Sequence, residues 1–444
     1  MNQKKRANVL EEKLQLNCTL GKVDQVKEIL QGGNVNVNKP VNNFSRDNPL
    51  ILACRNPSHE IVKMLLNQYG IDLNFENKYG KTAFYYACES GRDDIVKEFL
   101  KDKRIFENLN KHTHDYNSNT PLIVASREGH VEVVKLLLET KKVIINEKNN
   151  FGQTAFFTAC DNGQVGVVKE LMNRLNEKTI NPESVKTFQS IVNTKLSKRF
   201  QKNNLDVNRA DKNGNTGFMM SCEKGYLSIL ELLLKDPRTS LNLRNTTGKT
   251  GFYFGCENKK IEIVERLLED ERVDINQGDK YGNTGLIFSC FNSCPQIVKL
   301  LLDSPRIKTN ITNVSGKTAF IYACEFNNLE ALKLLLNDKR VNINKPTREG
   351  MTGLMIASQR GYFQTMKLIL ASRKDIDLTL KTKNGKTLLD VARQRNHPEI
   401  VKLLENYNRD PEAVQLELRR QLCFRGNYLF YNLFVRQSKE KNIL

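Results

Sequence analysis

The sequence predicts an all-α fold, built as a solenoid in which a helix-turn-helix unit repeats along the chain. The glycines that recur at a step of 34 residues are Gly214, Gly248, Gly282, Gly316 and Gly350. The cysteines that keep the same step are Cys222, Cys256, Cys290 and Cys324. Each repeat also holds two short apolar segments with helical spacing. Because neither helix of so short a unit can bury its apolar face alone, stacked neighbours must complete the core.

One repeat, residues 245–276, shows why each element forms. It reads NTTGKTGFYFGCENKKIEIVERLLEDERVDIN. Gly248 suits a short hairpin-like turn that needs a positive φ, and Thr250 is placed to cap the N-terminus of the first helix. The segment GFYFGC then buries Phe252 at helical spacing. The second helix carries one apolar stripe, formed by Ile263, Val264, Leu267 and Leu268.

The tripeptide Gly-Lys-Thr, which ends a phosphate-binding loop, starts in this chain at Gly80, Gly248, Gly316 and Gly385. A phosphate-binding loop also needs a glycine five positions upstream, because its backbone N–H groups must curl around the phosphates. The residues at that offset are Phe75, Leu243, Ile311 and Leu380. We therefore predict no nucleotide site and no cofactor. The tripeptide is interpreted as a turn glycine, an exposed lysine and a capping threonine.

The repeats resemble those of the ankyrin repeat family, whose first helix starts with Thr-Pro-Leu-His-x-Ala. The best match is NSNTPLIVASREGHVEVVKLLLETKKVIIN, residues 117–146, with Thr120, Pro121 and His130 in register. About eleven such repeats cover residues 10–407, beginning with a degenerate pair of helices over about 10–34. In most repeats Ala or Gly replaces the proline, and glycine lacks the preset φ of proline. The resemblance therefore implies individually weaker repeats where glycine stands.

Two segments interrupt or follow the predicted repeat array. An inserted amphipathic helix at about 176–204 is expected to pack against the outer side of the array, with partner binding as the alternative. A C-terminal helix and aromatic tail cover 408–444, and a basic N-terminal segment covers 1–9. The tail is too apolar to extend into water, so it either closes the last repeat or docks on a partner. Its large apolar residues are Tyr428, Leu429, Phe430, Tyr431, Leu433 and Phe434.

The composition of the 444 residues is that of a folded protein, with 27% charged and 39% hydrophobic residues. No run approaches the length of a membrane helix, and the N-terminus lacks the apolar core of a secretory signal, so we predict no membrane insertion. Equivalent positions in stacked helices lie about 8 to 10 Å apart, which is too far for a disulfide. The ten cysteines are therefore predicted to be buried thiols of a reducing, cytoplasmic protein, with a nuclear location left open.

No group of residues in the sequence predicts catalysis or a metal site. The histidines are His59, His112, His114, His130 and His397. They fall in different repeats or in a connecting loop, and the spacings of nucleophile, base and metal ligand sets are missing. We therefore expect a protein that is not an enzyme.

The ankyrin resemblance implies that partners bind the concave face, formed by the turn tips and the exposed ends of the first helices. The tip residues carried over are Lys78, Tyr79, Lys81, Tyr116, Phe151, Lys212, Lys280, Tyr281, Arg348 and Lys383. The helix-end residues are Phe291, Phe326 and Arg360. Aromatic residues interleaved with basic ones favour a protein partner with an acidic, partly apolar surface. Packing of some rings onto the neighbouring turn is the alternative for those positions.

The net charge of +19 leaves a second function open. Broad basicity favours acidic surfaces in general, so RNA or a cytoskeletal polymer is a possible partner that no motif specifies. The leading hypothesis is a scaffold or adaptor for proteins, and the alternative is a structural subunit anchored in a large ribonucleoprotein or cytoskeletal assembly. Arginines repeated in the loops, Arg238, Arg272, Arg306 and Arg340, form a basic stripe or balance nearby aspartates. Local balance is favoured, because such exposed pairs are common.

Overall fold

The computed structural model describes residues 3–33, 35–41, 44–56, 58–173, 204–372 and 375–423. These residues form 23 α-helices and one 3₁₀ helix, without a β-strand among them. By its contacts the chain divides into two compact units. The N-terminal unit comprises residues 1–221 and 226–240, and the C-terminal unit comprises residues 222–225 and 241–444.

Helices of the N-terminal part of the chain alternate between the first and second helix of each repeat. Their bounds are α1 Gln3–Leu20, α2 Val23–Gln31, α3 Pro49–Arg55, α4 His59–Leu66, α5 Ala83–Glu89, α6 Asp93–Leu100, α7 Pro121–Glu128, α8 Val131–Glu139, α9 Ala155–Asp161 and α10 Val165–Asn173. The 3₁₀ helix, Lys103–Glu107, follows α6. After the insert come α11 Gly217–Lys224, within which the two units divide, and α12 Leu227–Lys235.

The C-terminal unit continues the alternation and adds one helix. Its helices are α13 Gly251–Glu257, α14 Ile261–Leu268, α15 Gly285–Phe291, α16 Pro295–Asp303, α17 Ala319–Glu325, α18 Leu329–Asn337, α19 Gly353–Arg360, α20 Phe363–Ser372, α21 Leu388–Gln394, α22 Pro398–Arg409 and α23 Pro411–Cys423. First helices pack on first helices and second helices on second helices, as in α15 on α17 and α16 on α18. The eleven helix pairs from α1/α2 to α21/α22 confirm the predicted solenoid of about eleven repeats.

The predicted turn and capping residues act as expected. Gly248 has φ +79°, and the N–H of Gly248 donates to Asn245 O at 2.8 Å. Thr250 Oγ1 accepts from the backbone N–H of Tyr253 at 3.2 Å, which satisfies one of the free donors at the start of α13. The threonines that cap the other first helices in the same way are Thr82, Thr120, Thr154, Thr216, Thr284, Thr318, Thr352 and Thr387.

The cysteines lie in the core next to the glycines that replace proline. The nine cysteines whose side chains the structure describes are buried, unpaired thiols, and burial raises the pKa of Cys290 above its ordinary value. A Cβ built on Gly285 would meet Cys256 Sγ at 2.8 Å and Phe252 Cε1 at 3.3 Å. Glycine therefore lets the start of α15 approach the preceding repeat closely. Gly217 and Gly353 make the same approach to Cys160 and Cys324.

A row of asparagines joins each loop to the next. Asn276 Nδ2 donates to Arg306 O at 2.9 Å, and its Oδ1 accepts from the N–H of Lys308 at 2.8 Å. Each such asparagine therefore closes a two-bond ring with the loop one repeat later. The asparagines that make the same pair of bonds are Asn38, Asn110, Asn146, Asn208, Asn242, Asn310 and Asn344.

The two segments outside the regular repeats are described in part. The helix predicted at about 176–204 lies outside the described residues except for its last position. Helix α23 packs on α20 and α22, where Arg419 Nε donates to Ala371 O at 2.9 Å. The apolar run after α23 lies outside the described residues. Because α1 begins at Gln3, it crosses the boundary predicted at residue 10, and the division of the chain into segments stays a prediction.

Candidate protein-binding surface

Backbone hydrogen bonds join the turn tips into a row within each unit. In the C-terminal unit the N–H of Lys280 donates to Thr247 O at 2.8 Å, and the N–H of Val314 donates to Tyr281 O at 2.8 Å. The row continues through Arg348 to Ser315 O and Lys383 to Glu349 O. In the N-terminal unit the corresponding donors are Lys78, His114, Asn150 and Lys212. The structure therefore places the predicted tip residues of each unit side by side.

The tip aromatics of the N-terminal unit form two pairs. The ring of Tyr79 lies 6.2 Å from that of Phe44, and Lys78 Nζ lies 3.4 Å from the centre of the Phe44 ring. Tyr116 and Phe151 meet edge to face at 5.1 Å. Both pairs join neighbouring turns, so the rings pack sideways as well as facing solvent. Tyr116 and Lys212 remain exposed and available for contact.

The lysine of the Gly-Lys-Thr tripeptide is not the exposed residue that the sequence predicted. Lys249 Nζ lies 2.7 Å from Glu257, eight residues later, and 5.4 Å from the centre of the Tyr253 ring. Lys81 pairs with Glu89 and Lys317 with Glu325 in the same way. These three side chains are only 17%, 24% and 26% exposed. The lysine turns back over the first helix, because a carboxylate and an aromatic ring both attract it there.

A cluster of four aromatic rings lies on α15 and α17 of the C-terminal unit. Phe291 and Phe326 meet edge to face with ring centres 4.7 Å apart. Phe288 lies 5.6 Å from Phe291, and Tyr322 stacks on Phe326 at 6.0 Å. Phe291 and Phe326 are nevertheless 40% and 46% exposed. These four rings, here called the aromatic cluster, leave apolar surface in water that a partner would cover.

Charged residues surround the aromatic cluster on the same unit. Lys280 Nζ lies 4.9 Å from the centre of the Tyr281 ring, and Tyr281 is itself exposed. Arg360 Nη2 lies 3.4 Å from Glu325 Oε1, and Lys383 Nζ lies 3.7 Å from Glu349 Oε1. Arg348 is exposed at its tip. Most of the predicted cations therefore face solvent beside exposed rings.

Comparison with known proteins settles the kind of repeat. A family profile described as "Ankyrin repeats (3 copies)" matches residues 14–111, 103–184, 188–279, 252–347 and 320–415. The chain belongs to the ankyrin repeat family. Ankyrin repeats generally mediate protein–protein interaction, through the extended surface that stacked repeats create.

The relatives share only a section of their length with this chain. The human transient receptor potential cation channel subfamily A member 1 is 27% identical over 167 residues, which cover 35% of this chain and 14% of the channel. The rice probable E3 ubiquitin-protein ligase XBOS32 is 35% identical over 94 residues, covering 21% and 18%. The human SMC5-SMC6 complex localization factor protein 1 is 35% identical over 112 residues, covering 25% and 10%. This chain therefore matches less than a fifth of each relative.

A solved structure is similar as well. The crystal structure of EF0377, an ankyrin repeat protein, is 25% identical, with a TM-score of 0.39, and covers 42% of this chain and 96% of that one.

Sequence reasoning missed three aromatic residues of these ankyrin surfaces. They are Phe44, Phe288 and Tyr322. A signal for two of them was present, because Phe254, Phe288 and Tyr322 occupy one first-helix position at the step of 34 residues. Nothing in the repeat pattern marked Phe44, which belongs to a loop that departs from the pattern.

The loop arginines are largely balanced within their own ankyrin repeats. Arg238, Arg272 and Arg340 pair with Asp236, Asp270 and Asp338 at 2.5 to 2.7 Å. Arg306 instead donates to backbone carbonyls, including Leu268 O at 2.8 Å. The favoured interpretation, local balance, is therefore confirmed for three of the four arginines.

Two further features bear on the kind of site. Within the described residues, no three His, Cys, Asp or Glu side chains are grouped as metal ligands would be. The described part of the chain also holds no helix with the length and hydropathy of a membrane span.

Proposed function

We propose that this chain is a non-enzymatic, cytoplasmic scaffold or adaptor whose aromatic cluster anchors a protein partner with an acidic, partly apolar surface. The cluster lies on first helices and beside turn tips, which in ankyrin repeats form the concave face. The observation that carries the proposal is the exposure of Phe291 and Phe326 at the centre of four touching rings.

The arrangement has the composition of an interface centre. Aromatic residues and arginine supply most of the energy of protein–protein binding, from well-packed positions that a partner shields from water. The rings already pack on one another, so a partner orders little new structure when it covers them. The exposed cations at Lys280, Arg348 and Lys383 are placed to speed association with an acidic partner.

Affinity capture by the full-length chain, with quantification of the bound partner, tests the proposal. Phe291→Ala and Phe326→Ala should each weaken binding about tenfold or more, since a buried aromatic anchor contributes on the order of 1 to 2 kcal/mol. Tyr69→Ala is the matched control, because Tyr69 is a fully exposed ring in the other unit. Thermal unfolding should show that all three variants remain folded.

Two results would count against this function. Normal capture by both phenylalanine variants would show that the cluster is not the anchor. A loss of binding with salt as steep as that of nucleic-acid-binding proteins would instead favour an acidic polymer as the partner.

A further inference from the structure

An open groove of about 580 Å³ runs between α20, α22 and α23 in the C-terminal unit. Its floor is apolar and is formed by Phe363, Leu403, Ala413, Val414 and Leu418. Of these, only Leu418 is buried, so the floor presents apolar surface to water. Its volume lies in the range of sites that enclose apolar ligands.

The rim of the groove does not select a charged ligand. Lys402 and Arg409 of α22 line it together with Glu399 of the same helix and Glu417 of α23. Both signs of charge are therefore present along the walls. The apolar floor is the feature that an occupant must match.

Helix α23 fixes where the groove begins relative to the end of the described chain. Lys367 Nζ donates to Gln421 Oε1 at 3.1 Å, and both residues line the groove. Gln421 stands two residues before the end of α23 at Cys423. From Gln421 back to Ala413 the helix rises about 12 Å. The mouth of the groove is therefore beside the point from which the chain continues.

The 21 residues that continue from α23 contain a matching apolar run. They read FRGNYLFYNLFVRQSKEKNIL, and seven of the eight residues at 428–435 are apolar or aromatic. Four residues, including Gly426, separate Cys423 from this run, and four residues span up to about 14 Å when extended. The run can therefore turn back and reach the groove from its own chain.

We propose that the run 428–435 occupies the groove between α20, α22 and α23 of the same chain. The two apolar surfaces would otherwise both face water, and their mutual burial removes that cost. The short tether favours the chain's own run over a partner or a second copy, because it sets a local concentration in the millimolar range. Covering this groove also shields the end of the repeat array, as terminal caps do in stacked-repeat proteins.

A single tryptophan tests the proposal, because the natural sequence has none. Phe430→Trp in the full-length chain reports whether the run lies in an apolar site or in water. We expect emission at the short wavelength of a buried indole. Adding Ala413→Glu, which places a charge on the groove floor at an exposed position, should move the emission to longer wavelength. Leu403→Glu on α22 should do the same from the opposite wall.

Leu416→Glu is the matched control. Leu416 lies on the same helix as Ala413 and is 53% exposed, but it does not line the groove. Its variant should leave the emission unchanged. Circular dichroism and thermal unfolding of each variant check that α23 and its neighbours remain folded.

Three results would overturn the assignment. Emission at the wavelength of an indole in water would show that the run is not buried. Short-wavelength emission that neither groove variant changes would place the run elsewhere. A shift that appears only as the protein concentration rises would make the occupant a second copy's run rather than the chain's own.

Discussion

The buried and exposed sides of the first helices in the C-terminal unit follow different rules. On the buried side Phe252, Leu286, Phe320 and Leu354 stand at one position with a step of 34 residues, and all are apolar and buried. On the exposed side the equivalent positions hold Glu257, Phe291 and Glu325. Each buried residue must fit two neighbouring repeats, whereas an exposed residue has only solvent or a partner to satisfy. A break in the repeat on the exposed side therefore points to function.

The helix that carries Phe291 shows this difference most clearly. In the repeats on either side, a lysine pairs with a glutamate eight residues later, at Lys249 with Glu257 and Lys317 with Glu325. In α15 the same two positions hold Asn283 and Phe291. The ion pair is thus replaced by an exposed ring that contacts Phe326.

The largest expected effect is on the buried side. Phe252 is almost wholly buried, so Phe252→Ala should lower the free energy of unfolding by about 3 to 5 kcal/mol through the cavity it leaves. Chemical denaturation of the full-length chain measures this. Tyr281→Ala, at an exposed tip, is the comparison and should change it little. Equal losses from both variants would contradict the proposed difference between the two sides.

The loop asparagines give the next largest effect. Asn276→Ala removes both side-chain bonds to the loop of the following repeat, and the carbonyl of Arg306 and the N–H of Lys308 lose their partner. We expect a loss of about 1 to 3 kcal/mol in unfolding free energy. Lys308→Ala keeps the backbone N–H and is the matched control. If the two variants lose the same amount, the asparagine row does not hold the repeats together.

How far the sequence predicted this structure depends on the distance between partners. The Thr250 cap and the positive φ of Gly248 were predictable, because each depends on residues within one turn. The bonds of Asn276 were not, because their partners lie 30 and 32 residues later in another loop. The lysine pairs were missed because Lys249 is in a turn and Glu257 is at the far end of a helix. Seven helical residues separate them, about 10 Å that a long side chain can cross.

The candidate surface was predicted in its members but not in its grouping. Phe291 and Phe326 were both named from the sequence, yet they stand 35 residues apart at non-equivalent positions of neighbouring repeats. Only the packing of α15 against α17 brings their rings within 4.7 Å. Repeat alignment compares equivalent positions, so it does not show contacts of this kind.

A buried serine should destabilise the framework by a smaller amount. Ser358 occupies the position held by Cys324 one repeat earlier, and its wholly buried hydroxyl has no partner among the described residues. Ser358→Ala should therefore raise the unfolding free energy by about 1 kcal/mol, because an unpaired buried hydroxyl costs free energy. Ser289→Ala is the control with the opposite sign, since Ser289 Oγ donates to Gly285 O at 2.8 Å. A destabilised Ser358 variant would indicate an unrecognised partner.

Exchanging the exposed side should affect stability still less. The double variant Asn283→Lys with Phe291→Glu gives α15 the lysine and glutamate of its neighbours. We expect the unfolding free energy to change by less than about 1 kcal/mol, the usual range for an exposed ion pair. Partner capture should be lost, since the ring is gone. A folded double variant that still captures the partner would separate the break in the repeat from function.

The smallest effect concerns the loop arginines and is read from its pH dependence. The bonds of Arg272 to Asp270, at 2.6 Å, hold the pKa of that carboxyl below its ordinary value despite partial burial. A carboxyl whose pKa is lower in the folded state adds stability above the ordinary carboxyl range, and this contribution is lost as the pH falls through the folded pKa. Arg272→Ala should therefore cost less than about 1 kcal/mol at neutral pH, because the arginine is half exposed, and progressively less in acid. Arg306→Ala is the matched control, since Arg306 donates to backbone carbonyls and its contribution should not vary with the titration of Asp270. Denaturation curves of both variants between neutral pH and about pH 3 measure the difference. Parallel losses at every pH would show that Arg272, like Arg306, acts through backbone contacts and packing rather than by balancing a carboxylate.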